Sequence, residues 1–260
     1  MGTYIMPTTA VIYIDRASNN PIHAKKFMNS LIKHAPWANA GDDYIHILKG
    51  FDEKIPDYLN DYCQIDNPEI FHVSDELRPI EAIMLVAKQL VNDNILIFNS
   101  YSRILADNWL KIYEAAFTPG VGIVGASASN ENHPHIRSNA FMINRRLFIE
   151  LASGIKTRED DLEFESGKNN LTQQLFDKGL KALVVDKNGQ AWNNWHESRT
   201  FRKYNQEDLL VGDNRTADYM MADTRTRQYL SKLTYGYDHD PMSVTTKQRI
   251  NSYLEYHYDL

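Results

Sequence analysis

Residues 195–203, with the sequence WHESRTFRK, carry a high density of side chains that can bind an anion. Arginine can bind phosphate oxygens through two parallel N–H groups, and lysine adds a compact positive charge. Basic side chains are equally common on surface loops, where an exposed charge contributes little. The segment therefore predicts either a phosphate-binding loop or a basic surface loop, and the residues concerned are His196, Arg199, Arg202 and Lys203.

A run rich in acidic residues occupies positions 159–165. A carboxylate held near a hydroxyl group can take its proton and act as a general base. A carboxylate in the first turn of a helix is also a common surface feature, because the helix dipole favours negative charge there. The run therefore holds either a general base or only solvated helix carboxylates.

Other known motifs are matched by the residue pattern but not by the predicted elements around it. Residues 120–125 fit the dinucleotide-binding pattern G-x-G-x-x-G, but a helical pattern precedes them and the residues between the glycines are typical of a strand. We interpret them as a glycine-rich strand. His133 and His135 flank a proline without a nearby third metal ligand, which favours a surface loop. The sequence contains no G-x-S-x-G, Walker A or H-E-x-x-H motif.

The elements that must position these residues alternate between strands and helices. Short β-rich runs at 11–14, 44–48, 70–73 and 95–98 are separated by amphipathic patterns, and Pro79 suits the first turn of one such helix. This alternation predicts βαβ units and a mainly parallel sheet covered on both faces. Ligands of such sheets bind beyond the carboxyl ends of the strands, which places Asp15, Asp52, Asp75 and residues 99–103 at the expected site.

The second half of the chain is less regular. A helix is predicted over 144–154, a strand over 182–185, and a loop-like segment rich in Trp and Arg over 188–218. A further helix should end at Gly179, the usual position for a left-handed C-terminal cap. Helical patterns return from residue 219 onward.

Composition limits the classes of protein that need consideration. The chain has 260 residues, 43% of them apolar, which suits one large α/β domain with an appendage. A single cysteine, Cys63, excludes an intrachain disulfide, and a net charge of −6 disfavours a general nucleic-acid binder. No apolar run approaches the roughly 20 residues of a membrane span. We therefore expect a cytoplasmic protein without a membrane span or a nucleic-acid partner.

Three stretches together resemble the inverting GT-A glycosyltransferases, a family typified by bacterial enzymes that build polysaccharides. The first is residues 80–103, a helix and strand that lead into Asn99. The second is residues 135–148, similar to the strand and helix beside the family's acceptor site. The third is residues 164–167, followed by the predicted helix to Gly179 and the strand over 182–185. The resemblance covers roughly residues 10–215 in the order of elements.

This resemblance implies a GT-A-like, Rossmann-like α/β domain over residues 1–215 and a helical C-terminal extension over 216–260. It implies transfer of a sugar from a nucleoside diphosphate (UDP, GDP or dTDP) to a hydroxyl group of a glycan or glycoconjugate. Glu165 corresponds to the family's catalytic base, which begins a helix, and Asp160, Asp161 and Glu163 are interpreted as its solvated neighbours. The oligomeric state stays open.

The resemblance also implies a donor site. Asp15 and Asp52 correspond to positions that recognise the nucleotide base and ribose. The candidates for holding the diphosphate are Arg103, His196, Arg199, Arg202 and Lys203, and the last four lie in a loop that closes over the donor in related enzymes. Gln206, Asp208, Asp213 and Asn214 lie in the same region without an assigned role.

The sequence departs from the family at its metal-binding element. The Asp-x-Asp position reads Asn99-Ser100-Tyr101-Ser102, without a carboxylate, and Ser166 stands where the family often has a second acid. Mg²⁺ and Mn²⁺ prefer carboxylate ligands alongside phosphate. We therefore assign no metal ligand, place Asn99, Ser100 and Ser102 in the donor site, and expect a divalent metal to be possible but non-essential.

Two alternatives remain. The fold could be retained as an inactive nucleotide- or glycan-binding module, since a fold does not guarantee activity. A nucleotidyltransferase shares the α/β layout, but it should bring a glycine-rich basic loop directly after the first strand. Residues 15–20 read DRASNN, without glycine, which disfavours this class of enzyme.

Overall fold

The structure is a computed structural model that describes residues 7–34, 42–60 and 68–236. Cys63 and the part of the expected C-terminal extension beyond residue 236 lie outside the described residues. No helix within those ranges is long and apolar enough to cross a membrane.

The described residues form one large sheet and two small strand pairs. The large sheet has eight strands in the order β11-β10-β6-β9-β4-β1-β2-β3, and β5 pairs with β12 and β7 with β8. The strands are β1 (Thr9–Arg16), β2 (Asp43–Lys49), β3 (Glu69–Val73), β4 (Asn94–Phe98), β5 (Arg103–Ile104), β6 (Val121–Gly125), β7 (Ala128–Ser129), β8 (His135–Ile136), β9 (Ala140–Asn144), β10 (Lys181–Val185), β11 (Ala191–Trp192) and β12 (Val211–Gly212).

One reversed strand in the middle of this sheet determines where the chain can build a site. β1, β2, β3 and β4 run parallel to one another, as do β6 and β10, whereas β9 pairs antiparallel with both β4 and β6. The amino end of β9 therefore lies at the same edge as the carboxyl ends of β4 and β6. Residues just before β9 and just after β4 and β6 meet there.

Helices cover both faces of the sheet. They are α1 (Ile22–Lys33), α2 (Asp57–Asn60), α3 (Pro79–Ala87), α4 (Trp109–Ala116), α5 (Arg145–Leu151), α6 (Arg158–Ser166), α7 (Leu171–Asp177), α8 (Asn214–Met221) and α9 (Thr224–Tyr235), with a 3-10 turn at Trp195–Glu197. The mostly parallel α/β class expected from the sequence is confirmed.

Alternation along the strands divides the core into two layers. In β1, Ile12 and Ile14 face the layer that contains α3, whereas Val11 and Tyr13 face the layer that contains α1 and α4. Every side chain of β4 is buried, as expected for a strand covered on both faces. On the second side, Tyr13 stacks on Phe27 of α1 with ring centres 4.0 Å apart.

The acidic run lies inside a helix, not before one. Thr157 and Asp160 form a capping box that starts α6 at Arg158, and the helix ends before Gly167. Glu165 is consequently in the last turn of α6, so the expectation that it begins a helix is wrong. The predicted helix to Gly179 is the separate α7, and Gly179 has the left-handed φ of +76° expected of a helix end.

Gly125 explains why the glycine-rich match at residues 120–125 is structural. These residues form β6, as predicted, and a Cβ at Gly125 would overlap the side chain of Ile136 in β8. The absence of a side chain lets β8 pack across the end of β6. Glycine is therefore needed at position 125 for the close packing of β8, and no bound phosphate is needed to explain it.

We expect Gly125→Ala to lower the free energy of unfolding by about 1–3 kcal/mol, the usual cost of an extra methyl group in a packed site. Gly154→Ala is the matched control, because nothing lies within 4 Å of a Cβ there. Urea denaturation monitored by tryptophan fluorescence measures both. Equal stabilities for the two variants would contradict the packing argument.

Candidate functional site

A pocket of about 380 Å³ opens at the sheet edge where β4 and β6 end and β9 begins. Four segments build it: the turn after β4, the β7–β8 hairpin with the residues that lead into β9, the last turn of α6, and the start of α8. Its lining residues are Asn99, Tyr101, Ser129, Glu131, Asn132, His135, Arg137, Ser138, Asn139, Leu162, Glu165, Ser166, Asp213, Asn214 and Arg215.

The lining is dominated by side chains that donate or accept hydrogen bonds. Amides and hydroxyls form most of the wall, and Leu162, half exposed, is the one aliphatic side chain among the lining residues. Pockets for drug-like ligands are mainly apolar with a few polar groups. This pocket has the reverse character, which suits a ligand with many hydroxyl groups.

The turn after β4 uses its own polar groups to fix its shape. Asn99 Oδ1 accepts hydrogen bonds from Tyr101 N at 3.0 Å and Ser102 Oγ at 3.0 Å. Ser100 Oγ donates to the Ile14 carbonyl at 2.8 Å, and the single Ser102 hydroxyl proton is shared between Asn99 Oδ1 and the Asn139 carbonyl. Ser100 and Ser102 are buried, so only Asn99 and Tyr101 of this segment reach the pocket.

These oxygens do not fit a tightly held divalent cation. Those of Ser100, Ser102 and Asn99 are already engaged within the turn, and none carries a charge. Among residues 7–34, 42–60 and 68–236, no group of three or more His, Cys, Asp or Glu side chains is arranged to hold a metal ion.

Glu165 is the one acidic residue of α6 that lines the pocket. Burial raises the pKa of this carboxyl, a hydrogen bond from Ser138 opposes the rise, and the negative charge of Asp161 adds to it. The positive charges of Arg215 and Arg137 also favour the ionised form. A carboxylate with a raised pKa in a polar pocket is suited to accept a proton from a ligand hydroxyl.

A buried ion pair forms another part of the pocket wall. Arg137 Nη2 lies 2.6 Å from Asp213 Oδ2, and both side chains are buried. Asp213 also caps α8, since its Oδ1 accepts the Thr216 N–H at 2.9 Å. The Arg137 guanidinium covers the Phe201 ring at 3.7 Å from its centre. The pair thus joins the sheet edge to the C-terminal helices.

Glu131 holds two further arginines beside the pocket. Its Oε2 lies 3.0 Å from Arg202 Nη1 and 3.8 Å from Arg215 Nη1. Arg202 is buried and Arg215 is 56% exposed. Because Arg202 already pairs with Glu131 at hydrogen-bond distance, the longer contact leaves the Arg215 guanidinium able to bind an incoming anion.

The cations of the basic segment identified in the sequence lie outside the pocket lining, although Arg202 reaches the lining residue Glu131. Arg199 pairs with Glu207 at 3.2 Å, and Lys203 lies 5.8 Å from the ring centres of Tyr204 and Tyr235. His196 contacts the Tyr235 ring, and burial lowers the pKa of its imidazole. Arg103 is buried in β5 beside β12. Their assignment to the diphosphate stays a prediction.

Backbone strain accompanies this packing. Arg202, Tyr204 and Gln206 have φ values of 51°, 47° and 53°, in the left-handed region that residues other than glycine seldom adopt. Gln206 Oε1 accepts the Arg202 N–H at 2.8 Å, and its amide donates to the Thr216 carbonyl at 3.0 Å. The segment is therefore fixed in shape by side-chain contacts.

Asp15 and Asp52 lie at the expected sheet edge but outside the pocket lining. Asp15, at the end of β1, is buried, accepts a hydrogen bond from Tyr58 and lies 3.7 Å from His46 Nε2. Asp52 is exposed in the loop after β2. Their roles in recognising a nucleotide remain predictions.

The structure brings two of the sequence-predicted residues, Glu165 and Asn99, into one pocket. Sequence reasoning did not single out Arg137, Ser138 or Asn139, although they lie within the stretch 135–148 that carries the family resemblance. It also missed Arg215 and placed His135 on a surface loop, whereas His135 is buried in β8 and lines the pocket. The sequence assigned no role to Asp213 and Asn214, which line the pocket at the start of α8.

The comparisons with known proteins are informative at the level of fold. No family model matches the sequence, and no curated protein matches it either. The structure is similar to the mannosyltransferase PcManGT of Pyrobaculum calidifontis, solved with GDP-Man and Mn²⁺. The TM-score is 0.52 and the identity 12%, over 75% of this chain and 61% of that one.

Weaker likenesses are to GalNAc-T7 solved with UDP, GalNAc and Mn²⁺ and to mouse xyloside xylosyltransferase 1. For GalNAc-T7 the TM-score is 0.48 and the identity 15%, over 70% of this chain and 43% of that one. For the xylosyltransferase the TM-score is 0.45 and the identity 13%, over 69% of this chain and 85% of that one. The chain spans about three fifths of the length of PcManGT, and the likeness to that enzyme shows a shared GT-A-type fold.

Proposed function

We propose that this protein is a glycosyltransferase that moves a sugar from a nucleoside-diphosphate sugar to a hydroxyl acceptor, with inversion at the anomeric carbon. The observation that carries the proposal is Glu165, a carboxylate with a raised pKa in a pocket lined by amides and hydroxyls. The fold shared with a mannosyltransferase solved with GDP-Man supports the choice of donor class. The acceptor class is a glycan or glycoconjugate.

The reaction needs a proton acceptor and a stabilised leaving group. The acceptor oxygen attacks the anomeric carbon, the bond from that carbon to the diphosphate oxygen breaks, and the hydroxyl proton passes to Glu165. The exposed Asn214 amide and the Nδ2 group of Asn99 line the pocket and can hydrogen-bond to sugar hydroxyls. The Asn139 amide instead fixes the wall, because it accepts from Ser127 and donates to the Val211 carbonyl. Orientation of this kind lowers the entropic part of the barrier.

Positive charge for the departing diphosphate comes from the arginines of the pocket. Arg137 is fixed by Asp213 and acts as a stationary charge, whereas Arg215 is exposed and lies 3.8 Å from the Glu131 carboxylate. Preorganised cations stabilise charge that develops as the bond breaks. We therefore assign the leaving group first to Arg215, ahead of Arg199 and Lys203, which pack against aromatic rings elsewhere.

The alternative is a binding module with the same fold but without activity. The neutral turn Asn99–Ser102 favours it, because this position lacks the carboxylates that hold a metal in the family. Both readings require a nucleotide or a glycan in the pocket. A thermal-shift screen with UDP, GDP, CMP and dTDP tests that shared requirement, since a ligand at 100 times its Kd adds about 2.7 kcal/mol.

We expect Glu165→Gln to reduce kcat by roughly 10²- to 10⁴-fold while nucleotide affinity changes little, because the amide keeps the shape but cannot accept the proton. Single-turnover assays and calorimetry measure the two quantities. Turnover within a few-fold of the unmodified protein would remove Glu165 from the mechanism.

A stability measurement controls for misfolding of this variant. Because the pKa of Glu165 is higher in the folded than in the unfolded state, this carboxyl lowers stability as the pH rises from the unfolded pKa through the folded pKa, and the full cost is present above the latter. The glutamine variant should therefore be at least as stable at pH 8, and the difference should disappear as the pH falls and the wild-type carboxyl becomes protonated. A variant that is less stable at pH 8 would indicate a structural role.

We expect Arg215→Ala to weaken nucleoside-diphosphate binding by losing about 1.5–3 kcal/mol of charge-assisted hydrogen bonding, roughly 10- to 150-fold in Kd. Binding of the bare nucleoside should not change. Arg199→Ala is the matched control, because Arg199 is also an exposed arginine but pairs with Glu207 outside the pocket lining. Losses confined to Arg199→Ala would restore the sequence-based assignment.

Transfer should persist in excess EDTA and rise little with Mn²⁺. The oxygens of the turn after β4 are neutral and engaged, so the arginines of the pocket supply the positive charge. Product formation with EDTA is compared with that in saturating Mn²⁺. Activity that vanishes with EDTA and returns only with metal would show that a carboxylate elsewhere holds an essential ion.

A further inference from the structure

Asp161 and Glu165 lie four residues apart on α6. Side chains at this spacing lie on the same helix face, about 5–6 Å apart at Cβ. Asp161 is 6% exposed, so it is not the solvated neighbour expected from the sequence. Its face of α6 is turned into the protein, and Glu165 continues that face into the pocket.

Asp161 is held by the start of α3. Its Oδ2 lies 2.9 Å from Arg78 Nε, and Arg78 is the N-cap residue of α3. The backbone of Ile80, in the first turn of the same helix, also lowers the pKa of this carboxyl. A carboxylate at a helix N-terminus is favoured by the helix dipole. These contacts fix α6 against α3 and keep the charge of Asp161 in place.

We propose that Asp161 is a positioning residue for Glu165: it anchors the first turn of α6 through Arg78 and holds a second negative charge one helical turn from the proposed base. The inference rests on the proposed role of Glu165 as the proton acceptor. It adds a residue that touches no substrate and acts through its neighbour.

The charges that face the two carboxyls give the direction of the effect. Glu165 faces Asp161 on its own helix, Arg215 of α8 and Arg137 before β9, and it accepts a hydrogen bond from Ser138. Asp161 adds to the rise in the pKa of Glu165 that burial produces, and both arginines oppose it. His135, Glu131 and Asp213 complete the titratable lining of the pocket.

The groups around Asp161 oppose the effect of its burial, although the net shift of its pKa is upward. Burial raises the pKa of Asp161, whereas Arg78 and the Ile80 backbone, with Arg16 at the end of β1, lower it. Two like charges on one face make each carboxyl a stronger proton acceptor than it would be alone. Asp161 thus strengthens Glu165 as a base, and Arg215 and Arg137 limit this gain.

Asp161→Asn tests the inference, because the amide oxygen can still accept from Arg78 while the charge is lost. We expect the titration midpoint of Glu165, read by ¹³C NMR at its carboxyl carbon and assigned with Glu165→Gln, to move to lower pH. The acid limb of the kcat/KM profile should move in the same direction. A midpoint that stays in place would overturn the proposal.

Two further variants separate charge from structure. Asp161→Glu keeps the charge and should leave the midpoint of Glu165 high. Glu159→Gln removes an exposed charge from α6 at a position six residues from Glu165, and it should leave the midpoint unchanged. If Asp161→Asn does not fold, Asp161→Ser removes the same charge with a smaller side chain and carries the same expectation.

Failure of the inference and failure of the proposed function give different results. If Glu165 is not the base, Glu165→Gln keeps its turnover, but the NMR midpoint still reports whether Asp161 controls the proton affinity of Glu165. If Glu165 is the base and Asp161 has only a structural role, Asp161→Asn lowers thermal stability while the midpoint and the acid limb remain where they were.

Discussion

The buried ion pair between Arg137 and Asp213 is the contact on which the site depends. Arg137 leads into the reversed strand β9, and Asp213 caps α8, so the pair joins the sheet to the C-terminal helices at the point where the pocket forms. Removing one partner of such a pair leaves an uncompensated buried charge, which costs about 3–5 kcal/mol. Phe201, packed beneath Arg137, ties the strained segment of Arg202 to the same junction. These contacts thus connect the sheet edge, the pocket wall and the packed basic segment directly.

The position of Glu165 in the last turn of α6 changes its electrostatics. At a helix start, the backbone dipole would stabilise the carboxylate, whereas near a helix end it favours the neutral form. The position near the helix end, burial and the charge of Asp161 all favour a protonated Glu165, so this carboxyl is suited to accept a proton from a hydroxyl group. The neighbouring arginines favour its ionised form. In the proposed mechanism, Glu165 takes the proton while the amides and hydroxyls of the pocket recognise the sugar, so chemistry and recognition are carried by different side chains.

The sequence predicted the sheet well because local periodicity determines strands such as β1 and β4, whose residues are buried on both faces. It identified two residues that line the pocket: Asn99 directly follows the strand β4, and Glu165 belongs to the helix α6. It did not locate Arg137 or Arg215, since their positions depend on the antiparallel insertion of β9 and on how α8 docks, which no local pattern records. The contacts of the cations in residues 195–203 escaped the sequence for a similar reason: Arg202 pairs with Glu131, and Lys203 lies beside Tyr235, both distant in the chain. Their assignment to the diphosphate stays a prediction. The division at residue 215 stays a prediction, although α8 runs across it.

The wide sequence separation of the pocket walls has a kinetic consequence. Arg137 and Asp213 are 76 positions apart, whereas β1, β2 and β3 join through successive crossovers along the chain. Contacts that close long loops carry a larger entropic cost and form later than local ones. β1, β2 and β3 can therefore gather first, and the cavity is completed only when α8 reaches the sheet. The same order in reverse makes undocking of α8 a route of partial opening below the global unfolding free energy. Amide hydrogens of α8 should then exchange faster than those of β4, and equal protection would show that the two regions open together.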